Sequence, residues 1–466
     1  MSRKERDHLG ELELPDDAYY GIQTLRAYQN FPVSGLRGPP ELVRAYVMLK
    51  KAAAMANMGL GELDATKGGA IVEAADQVLS GEHTDAFIVD VYQAGAGTSF
   101  NMNVNEVLAN LALESLGRPK GDYQYLSPND HVNMAQSTND TYPTAAHMAI
   151  IDHSDRLSLV LVELAEALRS KSEEFRSVHK SGRTHLMDAV PVTLGQEFGA
   201  YAAAIGRAEN RIKQRQHDLL ELPIGGTATG TGANGHPRYR EAVIAALSEL
   251  CGREFRPAHD SFEALQSRAQ MMAYSSALKE LAVELIRIAN DLRLLGSGPT
   301  TGLAEIEMPA VQPGSSIMPG KVNPVLAECL DMICFQVVGN DTAVMLAGQA
   351  GQMELNVMAP LMAHNVLTSQ SLLINFLPVF VQKCVKGMRA DEGRCRSYVE
   401  RNPILATLLS KKIGYLKAAD LADESMRTGR PIPELAVEKG LLTSEEAREL
   451  FDPRAMTAVR FKKGHQ

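Results

Sequence analysis

The sequence predicts an all-α protein built from long helices. Its 466 residues include 20 Met and no Trp, and Ala and Leu are abundant, a composition that favours helices over sheets. Several segments carry apolar residues at helical spacing. The clearest alternates steps of three and four residues, through Met271, Tyr274, Leu278, Leu281, Leu285, Ile288, Leu292 and Leu295. That spacing is typical of a seam in a helical bundle, and we expect part of it to face other subunits.

Individual elements follow from apolar spacing and from the residues that end helices. The first forty residues are rich in Pro and Gly, which predicts an irregular arm. Helices are then predicted over 41–59, 70–79, 101–116, 154–175, 193–222, 271–295, 325–346 and 361–387. Two short helices separated by Gly440 are expected between Pro431 and Pro453, and Thr443 and Glu446 match a capping box at the start of the second.

Charge and cysteine content exclude several classes of protein. Lys and Arg number 47 against 56 Asp and Glu, a formal charge of −9, which argues against nucleic acid or an anionic membrane as the main partner. No apolar run reaches about 18 residues and the N-terminus is polar, so we expect neither a membrane span nor a signal peptide. The 5 cysteines form no C-x-x-C pair, which favours a reduced, cytoplasmic setting without structural zinc.

Four polar segments interrupt the helical pattern. They read QAGAGTSFNMNVNE (93–106), NMAQSTNDTYPT (133–144), SGRTHLMDAVPVTLGQE (181–197) and GSSIMPGKVNP (314–324). In the last, Asn323 is a predicted helix cap, Pro324 suits the first helical position, and Lys321 adds positive charge, which together indicate an anion site with a hydroxyl nearby. Neutral donors at several helix starts would suit a substrate with more than one carboxylate.

Simpler interpretations exist for each segment taken alone. Ser137, Thr138 and Asn139 could be ordinary helix caps. His185 could be a structural histidine and Lys321 a solvated surface residue. The joint occurrence of all four segments favours a shared site.

The four segments, in this order, resemble the fumarase/aspartase superfamily over nearly the whole chain, and GSSIMPGKVNP resembles its signature. The resemblance implies a three-domain fold with a long central helical bundle, a homotetramer with a core of about twenty helices, and active sites shared between three subunits. We therefore expect an N-terminal, mostly helical domain over 1–141, a central long-helix domain over 142–396 and a small C-terminal helical domain over 397–466.

The same resemblance implies roles for individual residues. Ser315 corresponds to the family's catalytic base, His185 to a histidine that contacts substrate, and Glu328 to the acidic partner of that histidine. Lys321 and Asn323 correspond to residues that hold the substrate carboxylate. The other implied substrate-binding residues are Thr98, Ser99, Ser137, Thr138, Asn139 and Thr184. No metal or organic cofactor is implied, and the partner is a small dicarboxylate.

The leaving group is indicated by smaller differences within the family. GAGTS (95–99), QSTND (136–140) and GNDT (339–342) are similar to aspartate ammonia-lyases, whereas THLMDAVPVTLGQEF and MELNVM lean toward fumarases. The expected reaction is reversible anti elimination of ammonia from L-aspartate, giving fumarate through an aci-carboxylate carbanion. A class II-type fumarate hydratase is the alternative, and a non-catalytic structural member of the superfamily is a remote one.

Overall fold

The computed structural model describes residues 2–459, and these are mostly helical, which confirms the all-α prediction. The helices are α1 (Ile22–Asn30), α2 (Pro40–Gly59), α3 (Ala65–Leu79), α4 (Thr98–Ser115), α5 (Thr138–Glu174), α6 (Leu194–Asp218), α7 (Tyr239–Cys251), α8 (Ser261–Gln266), α9 (Ala269–Leu295), α10 (Val325–Gln349), α11 (Ala359–Phe380), α12 (Glu392–Arg401), α13 (Ser410–Ile413), α14 (Tyr415–Thr428), α15 (Ile432–Glu438), α16 (Ser444–Leu450) and α17 (Pro453–Thr457).

The strands among these residues pair into two-stranded sheets. They are β1 (Ser2–Asp7) with β2 (Gly10–Pro15), β3 (His179–Thr184) with β4 (Met187–Thr193), β5 (Glu221–Leu222) with β6 (Arg256–Pro257), and β7 (Ile306–Glu307) with β8 (Arg389–Ala390). The β5–β6 pair is parallel and the others are antiparallel. These small sheets leave the fold class unchanged.

The prediction of an irregular N-terminal arm is wrong. This stretch folds into the β1–β2 hairpin followed by α1. Its Pro and Gly residues lie where these elements end, while Leu12 and Leu14 alternate with Glu residues along β2, and Leu14 is buried. Alternation of this kind is a strand signal, and it outweighs the density of turn-forming residues.

The predicted apolar seam is confirmed as the buried face of α9. All eight seam residues are buried by the chain itself, from Met271 to Leu295. The chain itself covers the seam, so no contact with other subunits is needed to bury these eight residues. Other apolar residues of the long helices are exposed instead, including Leu159, Val283 and Phe335.

Helix α5 differs most from its predicted bounds, because it begins at Thr138 rather than at residue 154. The polar residues after residue 133 predict a loop, yet the helix starts among them and continues through Pro143. Polar residues here stabilise the helix start, as described below.

The contacts between residues divide the chain into two compact units. The first unit comprises 1–158, 210–282 and 335–374, and the second comprises 159–209, 283–334 and 375–466. The division into three domains at residues 141 and 396 stays a prediction. Within the second unit, α14, α15 and α16 share an apolar cluster that includes Leu421 and Leu435, and the capping box of Thr443 and Glu446 is confirmed.

Helix α10 is, by length and composition alone, apolar enough to cross a membrane, and 39% of its most apolar window is buried within the chain. Core helices of soluble proteins meet the same criterion. The sequence contains no uninterrupted apolar run of that length, because Glu328, Asp331 and Asp341 interrupt this helix.

Candidate active site

A cavity of about 730 Å³ opens in the first unit, at the amino ends of α4 and α5. The residues around it are mostly neutral and polar. They are Gln23, Thr98, Asn101, Met102, Asn129, Asp130, Asn133, Met134, Ala135, Gln136, Ser137, Thr138, Asn139, Thr227, Ala228, Ala233 and Asn234. No Lys or Arg is among them. Hydroxyl and amide donors beside two helix starts suit an anionic ligand.

The start of α4 is shaped by a close backbone approach. Gly97 has a φ of 87°, and a Cβ there would lie 2.0 Å from the ring of Tyr142, so only glycine fits. The side-chain oxygen of Gln93 accepts a hydrogen bond from the backbone N–H of Phe100 at 2.8 Å. Thr98 is left exposed at the cavity wall, whereas Ser99 is buried and is not among the lining residues.

The start of α5 is held by a reciprocal cap. Ser137 Oγ accepts the N–H of Asn139 at 3.2 Å, while Asp140 Oδ1 accepts the N–H of Ser137 at 3.0 Å. Ser137 is therefore a cap, as the simpler interpretation held, and it also lines the cavity.

Asp140 joins this helix start to a second loop. Its Oδ2 accepts the backbone N–H groups of Gly225 and Thr227 at 3.1 and 2.8 Å. Asn139 reinforces the same join, since its Nδ2 donates to the carbonyl of Ala228 at 2.8 Å. Burial raises the pKa of Asp140 to about 7, although the backbone donors oppose that shift.

Buried asparagines extend the network behind the cavity, and the sequence analysis missed them. Asn101 Nδ2 donates to Thr138 Oγ1 at 3.0 Å and to Asn133 Oδ1 at 3.2 Å, and Asn105 Nδ2 donates to the same Asn133 oxygen at 3.2 Å. Asn101, Asn103 and Asn105 alternate with the apolar residues Met102 and Val104 in the buried part of α4. Asparagine is unfavourable within helices, so this run was an available signal of a polar network.

The second unit carries Thr184 and His185 at an exposed hairpin tip. Register pairs Thr184 with Met187, so His185 and Leu186 form the two-residue turn between β3 and β4, with φ of 55° and 61°. Such values are uncommon for residues other than glycine. Next to this tip, the guanidinium of Arg183 donates two hydrogen bonds of 3.0 Å to the buried carboxylate of Glu305.

The segment 314–324 folds back on itself. The N–H of Gly314 donates to the carbonyl of Lys321 at 2.9 Å, and Asn323 Nδ2 donates to the carbonyl of Gly314 at 2.5 Å. Asn323 was predicted to cap α10, but the helix begins at Val325 and the Asn323 side chain closes this loop instead. The Lys321 side chain is exposed.

Ser315 has a distinct environment within that loop. Its Oγ accepts backbone N–H groups from Ile317 at 3.3 Å and from Met318 at 3.0 Å. Two N–H groups directed at one hydroxyl oxygen would stabilise a negative charge on it.

The predicted site residues therefore fall into two groups. The first unit brings Thr98, Ser137, Thr138 and Asn139 together around one cavity. Ser99 also belongs to the first unit, but it is buried and does not line the cavity. The second unit carries Thr184, His185, Ser315, Lys321, Asn323 and Glu328. Within residues 2–459, no group of three or more His, Cys, Asp or Glu side chains could hold a metal ion.

Comparison with known proteins assigns the chain to a family. The family model described as Lyase matches residues 10–339, and the one described as Fumarase C C-terminus matches residues 405–458. The chain belongs to the fumarase/aspartase superfamily. A solved superfamily structure, fumarate lyase:delta crystallin from Brucella melitensis bound to cobalt, is 46% identical, with a TM-score of 0.95 over 98% of this chain and 100% of that one.

Curated relatives in this superfamily carry two names. Proteins named aspartate ammonia-lyase include one from a Bacillus species, 48% identical over 98% of this chain and 97% of its own, and one from Helicobacter pylori, 45% identical over both whole chains. A protein named fumarate hydratase class II, from Thermosynechococcus vestitus, is 47% identical over 96% of each chain. The identities of 48% and 47% are too similar for sequence identity alone to distinguish the ammonia-lyase from the hydratase.

We expect Asp140→Asn to destabilise the protein and to weaken binding of an anion in the cavity. An asparagine keeps one oxygen but turns an NH₂ donor toward a backbone N–H group, leaving a buried donor unsatisfied. The free energy of unfolding should fall by about 1 to 3 kcal/mol, and succinate, a dicarboxylate, should bind more weakly. Urea unfolding followed by circular dichroism and titration calorimetry measure the two effects.

Asp76→Asn is the matched control, because Asp76 is exposed on α3 and pairs with Lys51 at the surface. Its effect should be about 0.5 kcal/mol or less. Equal stability and equal succinate affinity in the Asp140 and Asp76 variants would contradict the assigned role of Asp140.

Proposed function

We propose that this chain is an aspartate ammonia-lyase, which eliminates ammonia from L-aspartate reversibly to give fumarate. The observation that carries the proposal is similarity over the full length to relatives of that name, at 48% and 45% identity. The geometry of the site adds support for a small dicarboxylate substrate.

The cavity supports the binding part of this proposal. L-Aspartate carries two carboxylates, and the wall offers hydroxyl and amide groups from Thr98, Ser137, Thr138 and Asn139 at two helix starts. Removing a proton beside a carboxylate produces an aci-carboxylate dianion, which fixed donors stabilise more strongly than they stabilise the substrate. A cavity walled by oriented neutral donors is suited to that task.

The loop 314–324 supports the chemical part. We assign Ser315 as the base that removes the proton, because its Oγ already accepts two backbone N–H groups that would stabilise the oxyanion. Lys321 and Asn323 on the same loop would hold a carboxylate. His185, Thr184 and Glu328 are proposed to complete the site, with His185 at a turn whose backbone angles are strained.

The assignment of ammonia rather than water as the leaving group depends on the sequences of three segments, GAGTS, QSTND and GNDT, and not on a single contact. GAGTS and QSTND border the cavity, whereas Asp341 of GNDT does not line it. Asp341 is buried, and its carboxylate accepts a hydrogen bond from Ser275 Oγ at 2.8 Å and pairs with Lys279. Within the described chain, Asp341 therefore contacts Ser275 and Lys279 and not the residues that line this cavity.

Assembly and location are also proposed. We expect a homotetramer with active sites shared between three subunits, which would cover the apolar residues that α5 and α10 leave exposed, such as Leu159 (74% exposed) and Phe335 (58% exposed). The 5 cysteines are free thiols in the described chain, which fits a cytoplasmic location.

An assay of fumarate formation tests the substrate. We expect the purified protein to convert L-aspartate to fumarate at about 1 to 1000 turnovers per second, measured by the ultraviolet absorbance of fumarate. L-Malate should be turned over far more slowly. Strong malate turnover without aspartate turnover would identify a fumarate hydratase instead, and turnover of neither would favour a non-catalytic member.

Replacing the proposed base tests the mechanism. Ser315→Ala should lower kcat for L-aspartate by about three orders of magnitude or more, because the proton acceptor is removed while the loop's backbone bonds remain. Ser316→Ala, at the neighbouring exposed hydroxyl, is the control and should retain far more activity. Similar kcat values for these two variants would remove Ser315 from the role of base.

A further inference from the structure

A buried lysine lies directly behind the cavity wall. Lys50 on α2 is fully buried, and its Nζ donates to Asn133 Oδ1 at 2.9 Å and to Gln136 Oε1 at 2.8 Å. Both acceptors belong to residues that line the cavity. Burying a lysine costs free energy unless hydrogen bonds or an opposite charge compensate for the lost contact with water.

Lys50 organises the loop through these two amides. Gln136 Nε2 donates to the carbonyls of Val132 and Met134 at 3.1 Å, and Asn133 Nδ2 donates to the carbonyl of Gln136 at 3.2 Å. The chain of bonds from one ammonium thus fixes the backbone that leads into Ser137 and the start of α5. Within that loop Ala135 has a φ of 61°, an unfavourable value for alanine that needs such support.

The position of Lys50 also matters for charge. The residues that line the cavity include one acid, Asp130, and no Lys or Arg, so their side chains supply no formal positive charge. Lys50 reaches the wall from behind, and Asn133 Oδ1 accepts from Lys50, Asn101 and Asn105 together. In a buried setting, a charge acts over several ångströms with little screening.

We propose that Lys50 is a positioning residue for dicarboxylate binding: it fixes the cavity loop through Asn133 and Gln136 and provides the positive charge behind a neutral wall. The inference rests on the proposed function, because it takes the dicarboxylate of that reaction as the ligand. It concerns a residue that does not itself line the cavity.

The charge of Lys50 depends on pH. Burial lowers its pKa to about 7, and Asp140 on α5 opposes that shift. On α2 the Tyr46 ring lies 5.7 Å from Nζ, and burial raises the pKa of Tyr46 well above its usual value, so this ring stays neutral. The groups that Lys50 meets on α4 and on the loop are the neutral amides of Asn133 and Gln136 and those that bond to them.

The affinity for a dianion depends on the charge of Lys50 and of its neighbour Asp140. Below pH 7 Lys50 is charged and attracts the dianion. Above pH 7 Lys50 loses its proton and Asp140, whose pKa burial raises to about 7, becomes a carboxylate, so both changes oppose binding of the dianion. Affinity for a dicarboxylate should therefore fall as pH rises through the pKa of Lys50.

Succinate, which is dianionic from pH 6.5 to 8.5 and cannot eliminate ammonia, is the probe. Calorimetric titration of Lys50→Met should show affinity about 10- to 100-fold weaker than wild type at pH 6.5, with a smaller dependence on pH than wild type. In wild type the Kd should rise about tenfold between pH 6.5 and 8.5. Lys50→Arg, which keeps its charge at both values, should lose the part of that rise that comes from Lys50, so its Kd should rise less than that of wild type.

Lys51→Met is the matched control. Lys51 is the next residue on α2 and pairs with Asp76 at the protein surface, so its loss removes the same charge away from the cavity. Its succinate affinity and pH dependence should equal those of wild type. Wild-type affinity in Lys50→Met, or an unchanged pH dependence in Lys50→Arg, would overturn the proposal.

Three further outcomes have defined consequences. If neither Lys50 variant folds, as judged by circular dichroism and thermal unfolding, Lys50 is needed for folding as such and the proposal is overturned. Succinate binding that depends on Lys50 in a protein that does not turn over L-aspartate would keep this inference and reject the proposed reaction. Normal L-aspartate turnover and KM in Lys50→Met would keep the proposed reaction and reject this inference.

Discussion

The amino end of α5 imposes the constraint on which the site depends. A helix start presents N–H groups without partners, and here they lie beside a cavity rather than in bulk water. Asp140 resolves this by accepting three backbone N–H groups, from Ser137, Gly225 and Thr227, and so joins the helix to a loop distant in sequence. The oxygens of Ser137 and Thr138 accept hydrogen bonds from the protein, which leaves their O–H groups to donate to a ligand.

Much of the fold could be predicted from spacing alone. The α9 seam and the Thr443–Glu446 capping box were predicted from apolar periodicity and cap residues, and both are present. The start of α5 was missed because its capping residues are polar and read as a loop. The β1–β2 hairpin was not predicted because the density of turn-forming residues in this stretch masks the alternation of Leu12 and Leu14 with Glu residues.

The candidate site was only partly predictable, for a physical reason. Hydroxyls and amides at helix starts, such as Ser137, can be found from local sequence, but the groups that support them come from elsewhere in the chain. Lys50 precedes Asn133 by more than eighty residues, and the contact between them exists only after folding. One local signal was available: Lys50 follows Tyr46 by one helical turn and falls on the apolar face of α2. A charge on that face indicates a buried partner.

The central claim is that a substrate carboxylate binds in the cavity of the first unit. A crystal structure of the protein grown with succinate tests it most directly. The account predicts a succinate carboxylate within about 3.2 Å of the hydroxyl of Thr98, Ser137 or Thr138. Succinate bound elsewhere, for example in the second unit's cavity beside Val399 and Phe451, with none in the first cavity, would contradict it.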